Sequence, residues 1–443
     1  MRSSFPLIVA AASVALLVQA EARQAGHGQA HQALAAERPK APGPWSGSTT
    51  PSVAFAADGT LWAVWADRPH VFAARSLDRG RTFTQQVQLT RQPEDLDANG
   101  ESRTKVAVGP GGEVYATWTK AGAKPHTGHI RFTRSVDGGQ TFAAPVTVNS
   151  DPNETGHRFD ALHVGPAGTV YVAWIDKRHL DVATARGADY AGAALYFATS
   201  SNRGATFSAN RKIKDHICEC CRLAVDFDKG VPVMVWRDVT DGIRDHGIVR
   251  FATATEPGTP RRATHDGWRI DACPHHGPSL SIAADGTHHL VWFTGEGPQG
   301  PGMFYARSLD GGTTFPMPKK LDGERPGNHA VVLSRGSRVT IAYREPIAPH
   351  GARIMIRTST DNGSSWAAPV ERARTDATSS DFPFLVAHGD DVYVSWFTPK
   401  EGLRVLPVRQ DAPTTGATRK RTSGPVRIAG TANRLGTASR AAR

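Results

Sequence analysis

Residues 59–65 read GTLWAVW, a glycine turn followed by alternating apolar residues that end on a tryptophan. The pattern returns as GEVYATW ending at Trp118, GTVYVAW at Trp174, GVPVMVW at Trp236, GTHHLVW at Trp292, SRVTIAY at Tyr343 and DDVYVSW at Trp396. The steps between these aromatics are 53, 56, 62, 56, 51 and 53 residues. A near-constant step of this length marks an internal repeat, each copy a unit of supersecondary structure. Period-two alternation opened by a turn residue predicts a β-strand in each copy.

The neighbours of each copy repeat as well. A short apolar run precedes it, such as SVAFA at Ser52–Ala56 or VAVG at Val106–Gly109. A third strand follows, such as HVFAARS at His70–Ser76 or IRFTRS at Ile130–Ser135, and often a fourth, such as APVTVNS at Ala144–Ser150. Four short strands joined by Gly and Asp turns make an antiparallel sheet. One such sheet cannot bury both its faces; several around an axis can, with only short, protected edges. The expected fold class is all-β: a seven-bladed β-propeller of four-stranded antiparallel blades, with a six-bladed ring as the alternative. The repeated aromatic is expected to pack between blades.

A second motif lies between the third and fourth strands: SLDRGRTF at Ser76–Phe83, SVDGGQTF at Ser135–Phe142, SSNRGATF at Ser200–Phe207, SLDGGTTF at Ser308–Phe315 and STDNGSSW at Ser359–Trp366. It has the chemistry of a tight turn. Asp or Asn accepts backbone N–H groups, Gly takes a positive φ, and the aromatic packs inward. The motif resembles the Asp-box, or BNR, repeat of sialidase-like β-propellers. The fourth unit keeps only FATATEPGTP at Phe251–Pro260, and the seventh has no copy. The resemblance covers 45–430, the last unit being expected to close with GPVRIAG at Gly424–Gly430. It implies a fold and leaves the reaction open, because the motif serves as scaffold.

Length and composition set the compartment and the excluded classes. The chain has 443 residues, 39% of them hydrophobic, and a mean hydropathy of −0.37, which suits a large soluble core. Residues 1–22 read as a secretory signal peptide: Arg2 precedes the uncharged run Phe5–Val18, which is too short to span a bilayer. Residues 23–44 have a linker's composition. The expected location is periplasmic or secreted, with no membrane span. The net charge of +11 is uneven, since Ala412–Arg443 holds seven basic residues and no acid, leaving +4 before it. Residues 431–443 are expected to be a solvated basic tail, so neither nucleic acid nor a nucleotide cofactor is expected. The protein is expected to be a monomer.

In a propeller the loops entering the first strand of each blade gather on one face of the channel. On that basis Arg158, Arg237 and Arg344 are candidates for binding a substrate. One feature is not generic. All four cysteines fall in HICECC at His216–Cys221 and DACPHHGP at Asp271–Pro278, both of which lead into the first strands of adjacent units. Cys218, Cys220, Cys221, Cys273, His275 and His276 are therefore expected together at the mouth, with His157 and His329 as neighbours. Residues two apart, such as Cys218 and Cys220, face the same way in an extended segment. Three uses stay open. Disulfides suit an exported chain with an even cysteine count. Thiolate with imidazole suits copper or zinc. The adjacent Cys220–Cys221 pair would suit redox chemistry.

The resemblance also raises an exo-α-sialidase type of glycoside hydrolysis. The family's aromatic-Arg-Ile/Leu-Pro signature is missing near the first blade, and of the tyrosines only Tyr190 falls in a mouth loop. No catalytic residue is carried over. The expected partner at the mouth is a metal ion, a glycan or a protein, the last with the cysteines as structural disulfides.

Overall fold

The copy GTVYVAW becomes the strand Val170–Asp176, in which every residue is buried. It pairs antiparallel with His157–Val164 on one side and with Ala193–Ser200 on the other. Arg211–Ile217 adds the outermost strand. This is the third blade of a ring. The structure is a computed structural model that describes Trp45, residues 49–323, Arg325 and residues 327–409.

Seven antiparallel sheets follow one another along the chain. Five have four strands in chain order. The second carries an additional short strand, Leu96–Asp97, and the seventh shows three strands among the described residues. The ring is thus seven-bladed, and the six-bladed alternative falls. GPVRIAG at Gly424–Gly430, the segments 1–22 and 23–44, and the tail 431–443 lie outside the described residues.

The seven repeated aromatics are at most 2% exposed, and each lies between blades. Trp118 packs with Trp62 and Val64 of the preceding blade, Trp236 with Phe159 and Ala173, and Trp396 with Ala342 and Ile354. Trp65 packs with Tyr393 and Phe397 of the seventh blade, which closes the ring. Trp45 joins that contact, edge-on to Trp65 at 4.8 Å. Burying a tryptophan at six interfaces and Tyr343 at the seventh makes neighbouring sheets supply one another's missing half-core. The indole N–H groups of Trp118, Trp174 and Trp236 are satisfied within the scaffold, donating to Glu94, Asp176 and Asp238 at 2.7–2.9 Å, whereas that of Trp65 has no hydrogen-bond partner among the described residues.

The Ser-x-Asp/Asn turns have one geometry. The Ser76 hydroxyl donates to Asp78 at 2.8 Å and accepts the Gly80 N–H at 2.7 Å. Asp78 accepts the Thr82 N–H at 2.8 Å and the Thr82 hydroxyl at 2.6 Å. Ser135, Ser200, Ser308 and Ser359 bond Gly139, Gly204, Gly312 and Gly363 in the same way. Gly80 is required twice over. Its φ is +89°, and a Cβ there would stand 2.8 Å from that of Val405 in the seventh blade.

Candidate functional site

The inner strands of all seven blades enclose a central cavity of about 370 Å³. Its charged lining comes from Glu101, Arg103, Lys105, Arg222, Asp226 and Arg335. Burial pushes the Lys105 ammonium down to about 8, and Lys105 donates to the Arg103 carbonyl at 2.7 Å. Burial pushes Asp226 up to about 6 and the cavity's His163 down to about 4. Two ion pairs stand at the mouth. Arg103 meets Asp381 at 2.6 Å, with both side chains at most 4% exposed. Arg222 meets Glu101 at 3.0 Å, and Glu101 also accepts the N–H groups of Arg222 and Gly277. Charges this deep persist only when paired and hydrogen-bonded.

The two cysteine segments are crossovers. Residues 218–223 run from the outermost strand of the third blade into Ala224–Asp228, the inner strand of the fourth. Residues 263–278 run from Arg261–Arg262 into Ser279–Ile282 of the fifth. Adjacent crossovers on one face converge, and the sulfurs meet. Cys218 Sγ lies 3.7 Å from Cys220 Sγ and 3.6 Å from Cys221 Sγ. The donor atoms of Cys218, Cys220 and Cys221 lie within 4.8 Å of one another, as do those of Cys220, Cys273 and His275. All four cysteines are free thiols. Cys218, Cys220 and Cys221 are buried among Phe159, Leu223 and Trp236, whereas Cys273 and His275 are exposed.

The convergence expected from the sequence is present, but its local cause differs. Cys220 lies in a turn and not in an extended run. The turn is pinned where the Cys218 N–H donates to the Arg237 carbonyl at 2.8 Å, and Lys177 pairs with Glu219 between the ligand positions. Hydrogen bonding with Cys220 and then Cys221, aided by Arg237 and Arg244, holds the Cys218 thiol well below its ordinary range. Hydrogen bonding with Cys218, Cys221 and Cys273 pushes Cys220 up, and burial, then Cys218, pushes Cys221 up.

His276 turns away from the sulfurs. Its ring lies 4.2 Å from Phe293 and 4.4 Å from His329, on the channel side. His216 packs on Tyr190 at 4.7 Å, and His157 of the third blade donates to the Gly128 carbonyl of the second at 2.9 Å. The arginines singled out from the sequence do not line the cavity. Arg158 pairs with Asp97, Arg344 bonds Ser380, and Arg237 donates to the carbonyls of His276, Arg244 and Phe293. Glu101 and Arg222 were not singled out, although Arg222 directly follows Cys221 in a lead-in loop.

An ulvan lyase solved bound to -[GlcA(1-4)Rha3S]- is similar over 84% of this chain and 93% of its own, at 11% identity and a TM-score of 0.53. The polysaccharide lyase Uly1 is similar over 84% and 93%, at 8% identity and a TM-score of 0.51. The chain has their propeller fold. A leech intramolecular trans-sialidase covers 80% of this chain and 84% of its own at 11% identity, with a TM-score of 0.46. The sequence resemblance to sialidase-like propellers holds at the level of fold, in the ring of seven antiparallel blades. No protein-family model matches the chain, and no curated protein matches it. Among the described residues, no helix is long and apolar enough to cross a membrane.

Proposed function

We propose that this propeller is exported and binds a soft metal ion, copper or zinc, at its channel mouth. The observation that carries the reading is the spacing of the sulfurs. Cys218 stands 3.7 and 3.6 Å from Cys220 and Cys221. Metal–sulfur bonds of about 2.3 Å in a tetrahedron set sulfurs ~3.8 Å apart. The ligands sit on two crossovers of a rigid ring, so little ordering remains to oppose binding. Burial among apolar side chains keeps water from competing. Each thiol gives its proton to solvent as its metal–sulfur bond forms, so affinity rises with pH. Cys220 is common to both donor groups. Cys220→Ser should abolish retention of copper or zinc through gel filtration while β-sheet circular dichroism stays at the parent level. Unchanged retention refutes the reading.

The cavity favours a second reading, a glycan-binding channel, in line with the similar ulvan lyase solved bound to -[GlcA(1-4)Rha3S]-. Lys105 and Arg335 line it without forming an ion pair with a carboxylate among the described residues. They suit an acidic saccharide such as a glucuronate oligomer. Calorimetry with such an oligomer should show binding that Lys105→Met removes. Heats identical for the parent and Lys105→Met refute it.

A further inference from the structure

Resting on the metal reading above, we propose that the cluster holds two copper(I) ions and that the Cys220 sulfur bridges them. The argument is one of donor count and placement. Five side chains form two overlapping groups of three, and Cys220 belongs to both. A single four-coordinate ion cannot use five donors. Two three-coordinate ions need six coordination positions, and five donors supply six when one sulfur serves twice. A thiolate has the lone pairs to do so; an imidazole nitrogen has only one.

Three-coordination and soft donors favour copper(I) over zinc, which would need a fourth ligand in each position. The two positions differ in access. The inner one, Cys218, Cys220 and Cys221, is buried in the hydrophobic contact between the third and fourth blades. The outer one reaches solvent through Cys273 and His275. An ion therefore arrives at the outer position and passes inward by ligand exchange. Bonds to Cys221 and Cys218 form as those to His275 and Cys273 break, while Cys220 stays bound throughout. The outer position is then free to fill again. Arg237 and Arg244 lie close enough to Cys218 to offset the negative charge of four thiolates on two monovalent ions.

The test is an anaerobic titration of the full chain with copper(I) against a chromogenic chelator, with native mass spectrometry of the product. The parent should saturate at two ions. Cys273→Ser/His275→Ala alters only exposed side chains, so the propeller should keep its β-sheet circular dichroism. That variant should hold one ion and load it more slowly. A parent that saturates at one ion, or a double variant that still holds two, overturns the bridge and leaves the metal reading standing. A parent that binds none overturns both.

Discussion

The imidazole of His329 donates from Nε2 to the carbonyl oxygen of His275 at 2.9 Å. His329 lies second in the inner strand of the sixth blade, Asn328–Arg335, and His275 belongs to the sulfur-rich donor set. His329 also stacks flat on Phe382, in the lead-in to the seventh blade. One hydrogen bond thus ties the donor cluster to the channel mouth. Burial, then His276 and Arg222, push the His329 imidazole well below its ordinary range, so the ring is neutral at neutral pH.

Metal removal should therefore loosen the mouth and spare the far end of the ring. Chelation should speed hydrogen exchange at residues 271–278 and at His329. The turn at Ser135–Phe142 should exchange as before. Identical protection of residues 271–278 with and without chelator contradicts the coupling.

Buried and exposed ion pairs should differ in cost. Asp381→Asn leaves Arg103 uncompensated at 2% exposure, a loss of about 3–5 kcal/mol in denaturant unfolding. Asp391→Asn breaks the exposed pair with Arg79 and should cost less than ~1 kcal/mol. Equal losses would show that the mouth network does not hold the ring.

The turns should carry an acid-dependent share of stability. Hydrogen bonds from Thr82 and Ser76 hold Asp78 at about 2, those from Thr141 and Ser135 hold Asp137 at about 2, and those from Ser308 and Thr314 hold Asp310 at about 2. A carboxylate held below its ordinary 3.8 stabilises the fold above that value. The contribution is lost as pH falls through the window from about 4 to 2. The third blade uses Asn202 in the same place, which does not titrate. Asn202→Asp should thus steepen the fall of the melting temperature below pH 4, and Asp137→Asn should flatten it. Parallel curves for all three proteins contradict this account.

Sialoside hydrolysis is not expected. The sialidase reaction uses a tyrosine nucleophile. Among the described residues no tyrosine lines the cavity, and the Tyr190 hydroxyl donates to Asp215 at 2.6 Å. A fluorogenic sialoside should show no turnover above buffer. Turnover abolished by Arg158→Ala or Arg344→Ala would reverse this expectation.

The ring was legible because its signals are local and repeated. An aromatic at each interface and a Ser-x-Asp/Asn-x-Gly turn in five of the blades each act within a few residues. The meeting of Cys220 with Cys273 was legible too, since both lie in crossovers that must enter adjacent inner strands on one face. The facing of individual side chains was not. Cys220 and Cys221 converge with Cys218 through a turn, where period-two reasoning does not apply. His276 points to Phe293 because adjacent residues in an irregular segment diverge. Glu101 and Arg222 find each other 121 residues apart, across the channel, and no local pattern marks such a pair.

Purification from the exporting compartment of a bacterial host, without chelators, followed by metal analysis and a thiol count on the same sample, brings the metal and disulfide readings into direct conflict. The account predicts that copper or zinc accompanies the protein and that Cys218, Cys220, Cys221 and Cys273 react as four thiols once the metal is stripped and the chain unfolded. Metal-free protein with its cysteines paired in disulfides would contradict it.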